Sequence, residues 1–387
     1  YKSIDARGKW VVIMRHSPER NKQNSIFLKH SPLYKKMIIA RDQGALGVIF
    51  ISQTEDKELF PFKYLEGYKD CRIPVLHLSN AKSDELLKDT NWSRKKIQAY
   101  MNKNMESLTF SLPNINIKAT VSLSPIKSRA ANVIGLIKTG NRKFRDEYIV
   151  IGAHFDHVGR GGVSSGSRTP KIDQVHPGAD DNASGTAGLI ELAQKLSSQK
   201  GRLKRSVLLI GFDAEEKGLL GSKYFTKNPV VDLDKIKTMI NMDMIGRVKD
   251  SRFTVGGVGT STIFNELLDS LSFDKPFKIV KSEPSYASSD HASFYSNKIP
   301  ILFFFSGFHD EYHTPEDTWK LINLRGEKNI LDFIYDIVFH LSRSEKPPVF
   351  TESGSKNSRT NVKLKVTLGI MPNYYSSAIG LEIDQIT

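Results

Sequence analysis

Four short stretches of this chain are rich in apolar residues: YIVIGAH (148–154), SVLLIGF (206–212), KTMINMDMIG (237–246) and IPILFFF (299–305). The segments between them carry apolar residues at helical spacing, as in ASGTAGLIELAQKLSSQ (183–199) and GLLGSKYF (218–225). Further helices are expected near 261–272 and over 327–343. A strand with no polar face cannot border water, so each of these must be covered above and below. Strands of that kind separated by helices build a mostly parallel or mixed central sheet with helices on both faces, an α/β fold. In such sheets function collects at the carboxyl ends of the strands.

The first hundred residues give a smaller version of the same alternation. KWVVIM (9–14), LGVIFIS (46–52) and IPVLHLS (73–79) have strand character, and YKKMIIARDQGA (34–45) has helical periodicity. They predict a small α/β domain over 1–105. A larger unit follows over 106–345, opening with strands ATVSLS (119–124) and NVIGLI (132–137). After PPVF (347–350) the run SGSKNSRTN has linker composition, and VTLGIMP and GLEIDQI resume strand character within 346–387.

Composition closes off several classes. One cysteine, Cys71, excludes an intrachain disulfide and a thiolate zinc cluster. The apolar runs fall short of the ~20 residues that a helix needs to cross a bilayer, so no membrane insertion is expected. The net charge of +14 comes from scattered clusters, SRKK (93–96), NRKFR (141–145) and GRLKR (201–205), without interleaved aromatics. A solvated basic surface accounts for them, and no nucleic-acid partner is expected. Nothing in the chain sets the oligomeric state.

The ionisable residues are concentrated where apolar strands stop. His154 and Asp156 end one strand, Glu215 and Glu216 follow another, Asp243 follows a third, and Asp180, Asp181 and His313 lie in loops of the same unit. Carboxylates crowded on one edge repel unless a positive charge lies between them. Imidazole nitrogen mixed with carboxylate oxygen suits a borderline divalent metal, zinc first, and a site so rich in acids suits two ions better than one. Adjacent residues point in different directions in strand or helix, so Glu215 and Glu216 must have different tasks.

The motifs HFD, DNASG, EEKG, DMIG and HTPED, in that order over roughly 106–345, resemble the dinuclear zinc exopeptidases typified by bacterial leucyl aminopeptidase. Glutamate carboxypeptidase and the inactive transferrin receptor share that fold. The resemblance implies two zinc ions bridged by Asp181, with His154 and Asp243 on one and Glu216 and His313 on the other. It makes Glu215 the general base toward a water attacking a peptide carbonyl, with Asp156 beside it as a catalytic residue that accepts the other N–H of His154. It also implies a cis peptide after Asp181 and a carbonyl-steadying role for Tyr286. Peptides with a free α-amino group are the expected substrates, and export by a bacterium the expected location. The first domain resembles a protease-associated domain, and the tail resembles the opening strands of a PDZ domain.

Rival readings are a carboxypeptidase or dipeptidase on the same fold, which would need cations such as Arg160, Arg168 or Arg247 facing the substrate carboxylate, a one-zinc glutaminyl cyclase, and an inactive binding module. His157, His176 and His309 match no position of the resemblance and are expected to be loop residues, while His291 is expected to be structural and Ser289 or Asp290 to cap a helix. GVSSG (162–166) fits a serine-hydrolase pattern but sits in a polar loop rather than a strand–turn–helix.

Overall fold

The structure is a computed structural model. It describes residues 4–19, 25–27, 30–60, 62, 70–112, 114–124, 126–162, 165–282 and 289–353, and the backbone of 370–372 and 383–386. The chain divides into two compact units, 1–127 and 128–387.

In the smaller unit, strands β1 (Trp10–Met14), β2 (Gly47–Ile51) and β3 (Val75–Leu78) form an all-parallel sheet in the order 1-2-3, with β2 buried throughout. Helix α1 (Leu33–Asp42) connects the first two strands, and α2 (Asn80–Leu87) and α3 (Arg94–Asn104) follow the third. Ser79 and Ser93 cap α2 and α3 by accepting backbone N–H bonds from Lys82 and Lys96. The boundary differs from the expected 105/106. Leu108, Phe110, Leu112 and Ile117 pack against the core built on Ile49, Ile51, Leu87 and Ile97, which draws the following segment into the smaller unit. ATVSLS forms no strand there. Its alternation would serve a sheet edge, but among the described residues no strand pairs with it.

The larger unit holds a seven-stranded mixed sheet. Its strands are β4 (Val133–Ile137), β5 (Tyr148–His154), β6 (Ser206–Phe212), β7 (Ile236–Met242), β8 (Arg252–Gly256), β9 (Lys278–Lys281) and β10 (Ile301–Phe305), in the spatial order 4-6-5-7-10-8-9. The central four, β6-β5-β7-β10, are parallel, and they are the four apolar-rich stretches of the sequence. β4 and β8 pair antiparallel at the flanks, so the sheet is mixed.

One face is covered by α4 (Gly185–Ser198), α6 (Phe264–Ser272) and α8 (Leu324–Arg343), whose Leu189, Leu192, Leu196, Phe264, Phe333 and Ile337 form a single core with the sheet. The other face is covered by α5 (Leu220–Lys227) and α7 (His291–Tyr295), where Phe225 stacks on Phe294 with ring centroids 5.6 Å apart. Both faces are thus dry, as the uninterrupted apolar strands require. Of the tail expected to open a PDZ domain, only β11 (Ile370–Pro372) and β12 (Ile383–Ile386) are described, paired antiparallel; the rest lies outside the described residues. No helix among the described residues is long and apolar enough to cross a membrane.

Candidate metal centre

The ionisable side chains meet at the carboxyl edge of the four central strands. His154 is the last residue of β5, Asp243 follows β7, Glu215 and Glu216 lie in the turn after β6, and His313 lies beyond β10. Asp181 comes from the segment that leads into α4. Gly178 enters that segment with φ +59, the left-handed region that glycine occupies without strain. Gly185 lets the helix start against β7, since a Cβ there would lie 2.4 Å from Asn182 Oδ1 and 2.7 Å from the Met242 carbonyl. The Asp181–Asn182 peptide is cis, in line with the resemblance.

Asp181 lies between two clusters. Its Oδ1 is 3.3 Å from His154 Nε2, and that nitrogen is 3.5 Å from Asp243 Oδ1. Its Oδ2 is 3.0 Å from His313 Nε2, which is also 3.2 Å from Glu216 Oε1. One group of mutually close ligand atoms comprises His154, Glu215 and Asp243, and the other comprises His157, Asp181, Glu216 and His313. The adjacent Asp180 turns away: its Oδ1 accepts from the Gly246 amide at 2.6 Å, and its Oδ2 is 3.3 Å from His309 Nε2. The Asp317 carboxylate accepts from the amides of Asp180 and Asp181 at 3.0 and 3.2 Å and so anchors the loop.

The turn after β6 is held by Asp156. Its carboxylate accepts from the backbone N–H of Glu215 at 2.9 Å and of Glu216 at 3.2 Å. This departs from the expected arrangement. His154 Nδ1 donates to the backbone carbonyl of Asp156 at 3.1 Å, while the carboxylate lies 3.7 Å away. Two glutamate amides compete for that carboxylate, and they hold it. His313 Nδ1 donates to the Gly166 carbonyl at 2.8 Å, which leaves its Nε2 facing Asp181 and Glu216. The Tyr312 ring stacks on His313 at 3.8 Å.

Electrostatics separates the two glutamates. Burial pushes Glu215 well above the ordinary carboxylate range, and the charges of Asp290, Asp243 and Glu216 add to the push despite His154. Glu216 also resists burial, yet His157 and His313 pull it below its ordinary value. Two carboxyls driven apart in this way are suited to different tasks, one to carry a proton and one to stay ionised. Burial works against a charge on His154 and His313, but the surrounding carboxylates hold His154 well above its ordinary value and His313 at about 10. Asp181 is held low by His154 and His313, although burial opposes this.

A metal fits this donor set. His157 Nδ1 and Nε2, Glu216 Oε1 and His313 Nε2 are buried and have no hydrogen-bond partner of sound geometry. Buried polar atoms left without a partner are costly, and a cation would serve all of these except His157 Nε2 at once. His157 is the residue that sequence reasoning passed over. It is a loop residue, as expected, but it faces the site, and its spacing three residues after His154 was the available signal.

His176, in contrast, is satisfied by Ser167 Oγ at 2.8 Å and the Gln174 carbonyl at 3.0 Å. His291 stacks on Phe303, and burial lowers it to about 3, so it is neutral and structural. His309 is buried against Asp180 and Glu311. Asp290 precedes α7 without capping it through its side chain, and burial lifts it to about 7. Tyr286 and the centre of GVSSG lie outside the described residues.

The sequence profile of peptidase family M28 matches residues 132–338. The chain is similar to aminopeptidase YwaD of Bacillus subtilis, at 27% identity over 284 residues, or 66% of this chain and 57% of that protein. It is also similar to a probable leucine aminopeptidase of Trichophyton verrucosum, at 29% identity over 203 residues, or 49% of this chain and 50% of that one. The chain thus spans only about half the length of these two relatives. In fold it is similar to an aminopeptidase from Aneurinibacillus sp. strain AM-1, with a TM-score of 0.54 and 24% identity, covering 91% of this chain and 72% of the other.

Proposed function

The chain belongs to peptidase family M28, and from that premise we propose that it is a zinc-dependent exopeptidase, an aminopeptidase that removes the first residue of peptides with a free α-amino group. The observation that carries this reading is the position of Asp181, one oxygen toward His154 and the other toward His313. In the proposed arrangement two zinc ions would share Asp181, with His154 and Asp243 to hold one and Glu216 and His313 to hold the other. When bound, the ions supply Lewis acidity that acidifies water and polarises the scissile carbonyl.

The protein's own residues do the rest. Glu215, lifted in pKa beside that edge, accepts the proton of the attacking water at its carboxylate and delivers it to the departing amine nitrogen. Asp156 acts through Glu215 by fixing the turn that carries it. The carbonyl of Asp156 keeps His154 in the tautomer that frees Nε2. Tyr286 is assigned on the resemblance alone to steady the substrate carbonyl.

Two of the three candidate arginines are held by carboxylates, which favours an amine-docking site over a carboxylate-docking one. Arg160 pairs with Asp173, Arg168 donates to the Asp310 carbonyl, and Arg247 pairs with Glu311. Export from the cell belongs to the same reading and is tested by fractionation. The protease-associated and PDZ-like readings of 1–105 and 346–387 stand on their resemblances. The deciding experiment compares hydrolysis of aminoacyl-p-nitroanilides with that of amino-blocked peptides, before and after removal of metal. Activity that survives amino blocking, or that survives a metal content of zero, overturns the proposal.

A further inference from the structure

We propose that His157 is itself a metal ligand, so that the subsite of Glu216 and His313 is held by two imidazoles and two carboxylates. This deepens the two-ion reading above and rests on it. His157 Nδ1 lies 2.9 Å from Glu216 Oε1 and 3.7 Å from Asp181 Oδ2. His313 Nε2 faces the same two oxygens at 3.2 and 3.0 Å. The two histidines flank one carboxylate pair from two directions, their rings 5.4 Å apart and nearly perpendicular at 81°. All four ligand atoms lie within 4.8 Å of one another, a span that one cation bridges.

A merely structural histidine would look different. Three other histidines in this unit show how: His176 closes a hydrogen bond at each nitrogen, His291 is stacked on an aromatic ring and neutral, and His309 turns its unpartnered Nε2 to one carboxylate, Asp180, and not to a pair. His157 does none of these. Its side chain is 10% exposed, and neither ring nitrogen has a hydrogen-bond partner of sound geometry. Its ring is seated against Gly178, where a Cβ would come within 2.7 Å of two ring carbons. The ring is thus seated with Nδ1 toward the two carboxylates that would share the ion, and with no hydrogen bond of sound geometry to either.

The chemistry follows from the donor count. The subsite of Glu216 and His313 would have four protein donors, with water as a fifth, while the His154 and Asp243 subsite would have fewer apart from the general base. The two subsites are therefore unequal, and the one holding His157 fills first and releases its ion last.

The test begins with the wild-type protein stripped of metal and reloaded with cobalt(II). Each coordinated imidazole contributes one paramagnetically shifted, exchangeable N–H resonance in the proton spectrum. Three such resonances are expected, from His154, His157 and His313; two would overturn the assignment without requiring any variant to fold. Zinc titration against a chromophoric competitor then compares wild type with His157→Ala and His157→Gln. One of the two dissociation constants should weaken by ~100-fold or more, beyond what the loss of an outer hydrogen-bond partner costs. Two unchanged constants overturn the proposal. A wild-type protein that takes up no ion removes the two-ion reading as well, whereas two ions held by only two imidazoles remove His157 alone.

Discussion

The two units of this chain present similar polar residues at the ends of parallel strands and treat them in opposite ways. In the smaller unit Arg94 and His77 are each paired with neighbours. Arg94, buried at the end of β2, donates to Asp84, to the carbonyls of Ser52 and Gln53, and to Asn80 Oδ1. His77 on β3 lies 2.9 Å from Ser52 Oγ and accepts the amide of Phe60 at 3.0 Å. In the larger unit the corresponding edge leaves His157, Glu216 and His313 with unspent donors and acceptors. The fold rules are the same in both places, so topology alone does not mark a site. What marks it is polar capacity that the protein leaves unused, because satisfied groups add rigidity and unsatisfied ones await a ligand.

The largest effect that would sharpen this contrast is on turnover. Glu215→Gln should lower kcat/KM by about 10²- to 10⁴-fold while bound metal is retained, whereas His77→Gln should leave kcat/KM unchanged. Equal losses in the two variants would break the comparison.

Next comes metal removal. With zinc at about 1,000 times its dissociation constant, binding contributes ~4 kcal/mol to the unit that holds it. Chelation should therefore loosen amide protection in β5, β6 and β7 and leave β2 as it was; a uniform change across both units would argue against a site confined to one.

A pH effect of about 2–3 kcal/mol is expected from Glu327, buried near the start of α8, where burial and the charge of Asp180 raise its pKa from 4.5 to about 7. The folded state then binds more protons than the unfolded state between those values, so stability falls as pH rises through that window. Glu327→Gln should raise the melting temperature of the metal-free protein at pH 8 and leave it nearly unchanged at pH 4. The smallest effect is Arg94→Met, which should cost the smaller unit ~2 kcal/mol in denaturant melts without altering kcat/KM.

The central strands were legible in the sequence because a strand buried on both faces has no polar position to disguise it. ATVSLS misled because alternation describes one face of a ladder, and only a partner strand makes the ladder. The boundary moved for the same kind of reason: Leu108, Phe110 and Leu112 choose a core by proximity, which no local pattern encodes. At the site, His154, Asp181, Glu216, Asp243 and His313 each follow a strand or a helix entry, and the fold brings them together. His157 reads only as a loop residue because a histidine in a loop carries no periodicity, and its spacing from His154 gains meaning only from what faces it. Asp156 was placed in the right neighbourhood with the wrong partner, since backbone amides leave no trace in side-chain spacing.

That Asp156 carboxylate has a dynamic consequence. One rigid tether grips the amides of two consecutive acids, so thermal displacement of the turn carries both in step. Any shift of that carboxylate would therefore move the backbones of Glu215 and Glu216 as one.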